Sequence, residues 1–266
     1  ALGIGFRCGF LGLLHMDIVK ERLEREYGLQ LIATTTSVSY RVVKTDGETL
    51  TLANPAEMPD RSEILEMQEP WMRVEILSPK DYIGALMTLC QERRGHSTDI
   101  QYLDEKRALL IFEMPLASIV TDFYDRLKSV TSGYASLNYE FIDYRADDLV
   151  KLDVMLAGDK IDALSAIIHR DEAYHFGVAL CKKLKEVIPR HNFEVAIQAA
   201  IGNKVIARET ISALRKDVTG YLYGGDRSRK DKLLKKQKAG KKRMKKFGKV
   251  DLPQEAFLAV LKRTDQ

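Results

Sequence analysis

Several short motifs carry the residue types of nucleotide or phosphoryl chemistry, so they are the first candidates for a site. His169, Arg170 and Asp171 match the start of a kinase catalytic loop, but Phe176 stands where that loop needs a metal-binding Asn. Residues 81–84 and 217–220 match the D-x-x-G of GTPases, but the sequence has no phosphate loop and no N-K-x-D. The first glycines have the spacing G-x-G-x-x-x-G, which is not a dinucleotide fingerprint. We therefore expect no catalytic and no cofactor-binding residue in this chain.

The cysteines and histidines also lack the spacing of a metal site. Cys8, Cys90 and Cys181 stand far apart, which argues against a CxxC zinc site and against a disulfide scaffold. Unpaired cysteines of this kind fit a reducing compartment. His169 and His175 are six residues apart, which places them on different faces of a helix. The sequence predicts no bound metal.

The strongest chemical signal is a basic segment, residues 227–249, which holds thirteen Lys or Arg and a single acid, Asp231. The segment carries +12 and the rest of the chain carries −8, for a total of +4. An acidic body with one basic segment indicates a polyanionic partner, nucleic acid first and an anionic membrane surface second. The candidate nucleic-acid-binding residues of the segment are Arg227, Arg229, Lys230, Lys232, Lys235, Lys236, Lys238, Lys241, Lys242, Arg243, Lys245, Lys246 and Lys249.

Two interpretations of the basic segment are open at this point. Blocks of like charge are often disordered, solvated tails, because self-repulsion opposes a compact state. However, Leu233, Leu234 and Met244 interleave with the charges, and Tyr221 and Tyr223 stand nearby, where they could stack on bases. If about 6–10 of the cations meet phosphates, binding should weaken steeply with salt. We expect such a segment to recognise RNA shape and backbone rather than base edges.

Arg93 and Arg94 are a second, smaller pair of candidate RNA contacts. They stand at the end of a predicted helix, just before Gly95. The alternative is a purely structural role, because basic side chains interact favourably with the C-terminal end of a helix dipole.

The elements that must position these residues begin with the first 54 residues. The chain has 266 residues, 45% of them apolar, which predicts about two folded domains with room for a small third. The sequence contains no run of 18 apolar residues, so no membrane span is predicted. A helix is predicted from about 12 to 27, a β-rich run from 31 to 44, and a hairpin turning at Asp46-Gly47. Residues 55–69, bounded by Pro55 and Pro70, are predicted as a linker.

Residues 70–146 show the pattern β-α-β-β-α-β, which is typical of a ferredoxin-like domain. A first strand is predicted at 71–77, and a helix starts at a Ser78-Pro79 cap and ends at Gly95. A hairpin follows, and then one helix carries Ile119, Phe123, Leu127 and Val130 on its buried stripe and ends at Gly133.

Residues 147–266 predict a further α+β region that contains the basic segment. Strands are expected at 149–156 and 161–168, a helix at 171–188, a hairpin turning at Gly202-Asn203 and a short helix at about 209–218. The predicted fold class is therefore α+β, with a ferredoxin-like domain followed by an α+β C-terminal domain.

The sequence resembles the ribosomal translocase-type GTPases. Residues 1–43, with Gly9-Phe10-Leu11-Gly12-Leu13-Leu14-His15-Met16-Asp17, resemble the end of their domain III, and residues 129–141, with Gly133-Tyr134-Ala135-Ser136, resemble their domain V. The translocase inserts a whole domain between these two units, whereas here a hairpin and a short connection separate them. Residues 193–209 and 254–261 closely resemble the C-terminal domain of the LepA family, the back-translocating elongation factors. This resemblance covers essentially the whole chain.

The resemblance implies a domain assignment and a function. Residues 1–54 would end domain III, 55–69 would be the linker, 70–146 domain V, and 147–266 the LepA-specific C-terminal domain. The GTP-binding domain and domain II would precede Ala1, so GTP and magnesium are expected there and not in this chain. The absence of an initiating Met also predicts a fragment or a processed chain.

By the same resemblance, the expected partners are the ribosome, through ribosomal RNA, and tRNA, in a reversed or remodelled translocation state. Domain V would approach the stalk base, and the C-terminal domain would reach the tRNA acceptor end near the peptidyl-transferase centre. A cytoplasmic monomer is expected, with peripheral contact to the inner membrane and an organellar origin left open.

Two other functions stay open from the sequence. Ferredoxin-like domains also host small phosphohydrolases, but Leu77-Ser78-Pro79, where their anion-cradling loop would stand, has no glycine and no basic group. The other is a membrane-surface module, in which the basic segment meets anionic lipid. Few large apolar residues in the segment support an amphipathic membrane helix.

Overall fold

A computed structural model describes all residues except 1–5, 7, 11–12, 30, 32–37, 121, 221–226, 248–249, 251, 254–255 and 257–266. The described residues form two compact units. Residues 38–150 form one, and the described residues up to 31 together with 151–256 form the other. Both units mix helices with antiparallel sheets, which confirms the predicted α+β class.

The first helix, α1 (Leu13–Tyr27), lies where the apolar periodicity predicts it. Its exposed side carries ion pairs at helical spacing, Arg25 with Glu21 at 3.2 Å and Arg22 with Glu26 at 3.0 Å. Tyr27, the last residue of α1, is exposed.

The unit of residues 38–150 is built on a six-stranded antiparallel sheet in the order β2-β1-β3-β5-β4, with β6 on the other side of β3. β1 and β2 form the hairpin predicted at Asp46-Gly47, and Gly47 adopts φ +87°, as such a turn requires. The strands are β1 (Tyr40–Lys44), β2 (Thr49–Leu52), β3 (Ile64–Pro79), β4 (His96–Tyr102), β5 (Arg107–Pro115) and β6 (Ser136–Ala146).

Three helices cover one face of this sheet and complete the predicted ferredoxin-like arrangement. They are α2 (Ile83–Glu92), α3 (Leu116–Ile119) and α4 (Phe123–Val130). The core between sheet and helices is formed by alternate residues of β3 and β5 together with one stripe of each longer helix. Its buried members include Val74, Ile76, Leu86, Leu89, Cys90, Leu110, Phe112, Phe123 and Leu127. Burial raises the pKa of the Cys90 thiol to about 12, so this thiol is a packing group and not a nucleophile. We call residues 38–150 the ferredoxin-like unit.

β3 is longer than predicted, because residues 64–69 of the predicted linker belong to it. Its first part pairs with β1 through residues 64–68, and its second part pairs with β5 from Trp71 onward. Pro70 lies where β1 gives way to β5, and it also pairs with Tyr144 of β6. Of the predicted linker, only residues 55–63 connect β2 to β3.

Both ends of α2 also differ from the prediction. Ser78 and Pro79 stay in β3 because they pair with β5, and the Ser78 hydroxyl donates to the Pro79 carbonyl oxygen at 3.3 Å instead of capping a helix. A short 3-10 turn, Lys80–Tyr82, leads into the helix. At the other end, the left-handed residue is Arg94, with φ 63°, and not Gly95.

The helix predicted to run through residues 119–130 is two helices, since α3 ends at Ile119 and α4 begins at Phe123. Val130, expected on the buried stripe, is exposed. Two left-handed residues, Ser132 with φ 50° and Gly133 with φ 83°, then end the helix where the sequence predicts an end.

The second unit contains a five-stranded sheet in the order β11-β10-β7-β8, with β9 also paired to β7. Its elements are β7 (Leu149–Leu156), β8 (Asp159–Lys160), β9 (Ala166–His169), α5 (Arg170–Val187), β10 (Val195–Ile201) and β11 (Lys204–Ile211). Helix α5 packs on β10 and β11. Gly177 makes this close approach possible, because a Cβ there would lie 3.2 Å from the Cβ of Ala199. The hairpin predicted at Gly202-Asn203 is confirmed.

Two predictions for the second unit are wrong. The strand expected at 161–168 is interrupted by a 3-10 turn, Asp162–Leu164. The short helix expected at 209–218 does not form, because β11 continues to Ile211, opposite Val195. Beyond it, the Asp217 carboxylate accepts hydrogen bonds from the N–H groups of residues 219 and 220, a local alternative to helical bonding.

Candidate nucleic-acid interface

The basic segment forms a single helix, α6 (Arg227–Phe247), in the second unit. At 1.5 Å per residue it is about 31 Å long. Of the two interpretations left open by the sequence, the structure favours an ordered element over a solvated tail. Tyr221, Tyr223 and Lys249 lie outside the described residues, as do the side chains of Lys246 and Phe247.

One face of α6 is anchored to the segment that follows β11. The half-buried residues recur at helical spacing and define this face: Lys230, Leu233, Gln237, Gly240 and Lys241. The Gln237 amide donates a hydrogen bond to the carbonyl oxygen of Lys216 at 2.8 Å, and the Lys241 ammonium donates to that of Leu214. The N–H of Leu214 in turn donates to the His191 carbonyl oxygen at 2.9 Å. Lys241, a predicted RNA contact, is therefore part of the anchor.

The other faces of α6 present the remaining cations to solvent. We call these nine exposed residues the basic face: Arg227, Arg229, Lys232, Lys235, Lys236, Lys238, Lys242, Arg243 and Lys245. Asp231 is exposed beside them, and so are Leu234 and Met244. Most of the cations predicted from the sequence thus lie on the exposed faces of one helix. Lys230 and Lys241 lie on its anchored face instead.

Repulsion between the like charges of the basic face destabilises helix α6. Lys232 and Lys236, and likewise Lys238 and Lys242, stand at i,i+4 spacing, where like charges destabilise a helix by about 0.2–0.5 kcal/mol per pair. A polyanion laid along the helix removes this repulsion, because phosphate groups neutralise the cations and release their own counterions. The arrangement suits binding to a phosphate backbone.

The structure gives Arg93 and Arg94 a different environment. The Arg93 guanidinium lies 2.7 Å from the Asp122 carboxylate, at the start of α4. The Arg94 guanidinium lies 2.7 Å from the Asp147 carboxylate and also contacts Glu69, whose side chain is 1% exposed. Both arginines thus hold parts of the ferredoxin-like unit together, and we leave them out of the interface.

The motifs set aside on sequence grounds have structural roles. His169 precedes α5, and its Nδ1 accepts a hydrogen bond from the N–H of Asp171 at 3.3 Å, so the pair caps the helix. Asp171 stands in the first turn, where an acid suits the helix dipole. In the part of the chain that the structure describes, no three His, Cys, Asp or Glu side chains are grouped as metal ligands. Among the described helices, none is both long enough and apolar enough to cross a membrane.

Sequence reasoning missed the anchor of α6. Gln237 and the carbonyl groups at 214 and 216 decide which face of the helix is covered. The recurrence of Leu233, Gln237 and Gly240 among the cations was the available signal, because these uncharged residues share one helical face.

Two family models match the chain. The C-terminus of the GTP-binding protein LepA matches residues 156–262, and the C-terminus of elongation factor G matches residues 66–155, which include the four strands of the ferredoxin-like arrangement. The second match begins close to the start of β3 and not at Pro70, and the two matches meet inside β7.

Curated relatives called elongation factor 4 match the chain over its full length. Those from Anoxybacillus flavithermus, Chlorobium phaeobacteroides and Microcystis aeruginosa are each 59% identical over 266 residues. The chain spans 44% of the length of each of these relatives. Both family matches are to C-terminal domains.

Proposed function

Because the chain belongs to the LepA, or elongation factor 4, family, we propose that it binds the ribosome and tRNA as part of a cytoplasmic translation factor that remodels or reverses translocation. GTP and magnesium would be bound, and GTP hydrolysed, by a domain other than those of residues 66–262. The observation that carries this proposal is the basic face of α6, nine exposed cations on a helix about 31 Å long.

The role of α6 in this function is electrostatic positioning. Lys and Arg side chains that meet phosphate oxygens fix the register and orientation of a protein on a nucleic acid without reading its sequence. Such contacts suit ribosomal RNA and tRNA equally, because both present a continuous phosphate backbone. The anchor through Gln237 and Lys241 supports this role, since it turns the same cations outward along the whole helix.

The test is co-sedimentation of the intact chain with ribosomes across a salt series. The variant replaces Lys235, Lys238 and Lys242 of the basic face by Gln. The matched control replaces three exposed cations elsewhere in the same unit, Lys182, Lys204 and Arg208, by Gln. Loss of three phosphate contacts should reduce the slope of log affinity against log salt by about 2–3. The control should keep the slope of the unmodified chain.

Two outcomes would contradict the proposal. If the variant and the control have equal slopes, the basic face makes no phosphate contacts. If the intact chain floats with anionic vesicles but does not sediment with ribosomes at the same salt, its polyanion is lipid. We expect weak flotation, because Leu234 and Met244 are the large apolar side chains exposed beside the basic face in the described part of α6.

A further inference from the structure

Four tyrosines and two lysines lie at one end of the ferredoxin-like unit. Lys80 and Tyr82 come from the turn before α2, Tyr102 from the end of β4, Tyr124 and Lys128 from α4, and Tyr134 from the loop between α4 and β6. Tyr134 is 70% exposed and Tyr102 is 65% exposed. We call these six residues the tyrosine surface: Lys80, Tyr82, Tyr102, Tyr124, Lys128 and Tyr134.

The rings of this surface contact one another and the lysines. The Tyr82 and Tyr134 rings are 24° from parallel, with centroids 6.5 Å apart. The Lys80 ammonium lies 5.1 Å from the centroid of the Tyr102 ring, and the Lys128 ammonium lies 5.3 Å from that of Tyr124. A cation within about 6 Å of a ring face is held there by the ring quadrupole. The surface therefore alternates aromatic faces with positive charge.

The loop that carries Tyr134 is rigid. The buried Thr131 hydroxyl donates to the Leu127 carbonyl oxygen at 2.6 Å and accepts from the N–H of Ala135 at 3.2 Å. The Lys128 ammonium donates to the carbonyl oxygens of Gly133 at 3.3 Å and Ala135 at 2.6 Å. The exposed Tyr134 ring is thus preorganised, which lowers the entropy cost of binding.

The loops that carry Lys80 and Tyr102 are joined as well. The N–H of Lys80 donates to the carbonyl oxygen of Lys106 at 3.0 Å. In the hairpin, the Asp104 carboxylate accepts from the Arg107 guanidinium at 2.8 Å and from the N–H groups of residues 106 and 107. The Asp104 carboxylate is therefore occupied by its own turn.

The charges of this end nearly cancel, in contrast to those of α6. Lys80, Lys106 and Lys128 are opposed by the exposed acids Asp81, Glu105 and Asp125. A duplex with its dense phosphates gains little from such a surface. Unpaired bases gain more, because stacking on an aromatic side chain is tolerant of sequence and strengthens binding by about 5- to 150-fold per base.

We propose that the tyrosine surface binds a short unpaired stretch of RNA by stacking bases on Tyr102 and Tyr134. This site is separate from the basic face and goes beyond the proposed function, which rests on the phosphate contacts of α6.

The test measures binding of the intact chain to a labelled, unstructured oligoadenylate of about ten nucleotides, within the site sizes typical of single-strand binders. It is done at about 0.5 M salt, where screening acts within about 5 Å and the contribution of the basic face is small. The variant is Tyr102→Ala with Tyr134→Ala. The controls are the same two positions changed to Phe, and Tyr174→Ala, a tyrosine of α5 that is 58% exposed.

We expect the double Ala variant to bind at least about 25-fold more weakly, from about 5-fold or more for each of two bases. The Phe variant should bind within about 2-fold of the intact chain, because a phenyl ring also stacks, and Tyr174→Ala should change nothing. An unlabelled duplex of equal length should not compete. Thermal unfolding checks that each variant folds, and the single Tyr134→Ala variant replaces the double one if it does not.

Equal binding by the Ala variant and the intact chain would overturn the proposal, and so would equal losses in the Ala and Phe variants, which would indicate hydroxyl contacts instead of stacking. Failure here is distinguishable from failure of the α6 proposal. The latter shows as an unchanged salt slope in ribosome co-sedimentation, whereas the tyrosine surface is tested at high salt on a single strand.

Discussion

Cationic side chains have opposite roles at the end of α2 and along α6. At the end of α2, the guanidinium groups of Arg93 and Arg94 face carboxylates brought from β3, α4 and the end of β6. Along α6, Asp231 is the single acid among twelve cations, and nine of those cations are exposed to solvent. A cation that the tertiary structure pairs with a carboxylate is therefore less available to contact an RNA phosphate than an exposed cation without a nearby acid.

The same contrast separates stability from binding. Glu69 is buried, so removal of Arg94 would leave an uncompensated charge in the interior and lower the free energy of unfolding. The cations of α6 repel one another, so they are held at a small cost in stability that a polyanion can recover. Substitutions in the two regions should consequently have opposite phenotypes.

The largest expected effect is on RNA binding, from reversing the charge of Lys235, Lys238 and Lys242 to Glu. Each lost phosphate contact weakens binding about 8-fold at about 0.1 M salt, so the three together should lower ribosome affinity by about 10²–10³-fold. The free energy of unfolding should stay within about 0.5 kcal/mol, because exposed substitutions rarely matter more. Co-sedimentation and urea unfolding on one preparation check both statements, and an unchanged affinity would remove the contrast between the two regions.

Arg94→Ala should lower stability without changing ribosome affinity. It leaves the buried Glu69 without its Arg94 partner, which should lower the free energy of unfolding by about 3 kcal/mol. Ribosome affinity per folded molecule should not change. Adding Glu69→Gln should recover part of the loss, because the buried charge is then removed. If Arg94→Ala instead weakens ribosome binding at unchanged stability, Arg94 is an RNA contact and the contrast fails.

Gly240→Ala should stabilise α6 by about 0.5–1 kcal/mol, because glycine in a helix interior has more conformational freedom to lose. A Cβ at this position meets no atom within 4 Å, so no clash opposes the gain. Circular dichroism at low salt should show higher helicity, and ribosome affinity should rise slightly. A fall in helicity would mean that the anchored face of α6 needs the glycine.

The smallest effect is expected from an ion pair at the surface. Bonds from Arg107 and from the N–H groups of residues 106 and 107 lower the pKa of Asp104 from 3.8 to about 2. Folding lowers the pKa of Asp104, so the ion pair stabilises the folded state at a pH above the pKa of Asp104 in the unfolded chain. This contribution is lost as the pH falls from about 4 to about 2. Asp104→Asn should flatten the pH dependence of the unfolding free energy in that window. An unchanged curve would show that the exposed pair contributes nothing measurable.

The elements that the sequence predicted correctly are those encoded by local signals. α1 and α5 follow from apolar residues at helical spacing, the hairpins at Gly47 and Gly202 from their turn residues, and the ferredoxin-like order from the alternation of the two patterns. The basic segment was visible by counting charges, and its helical form agrees with the apolar residues placed among them.

What the sequence could not decide depends on partners distant along the chain. Ser78 and Pro79 read as a helix start, but β5 holds them in a strand, and residues 64–69 read as a linker, but β1 pairs with them. The side chains of the candidate site follow the same rule. The sequence by itself determined where the charge lies. Only the tertiary structure decided which cations form ion pairs with carboxylates and which face of α6 is covered. The reason is that those contacts join residues far apart in the sequence, which no local pattern connects.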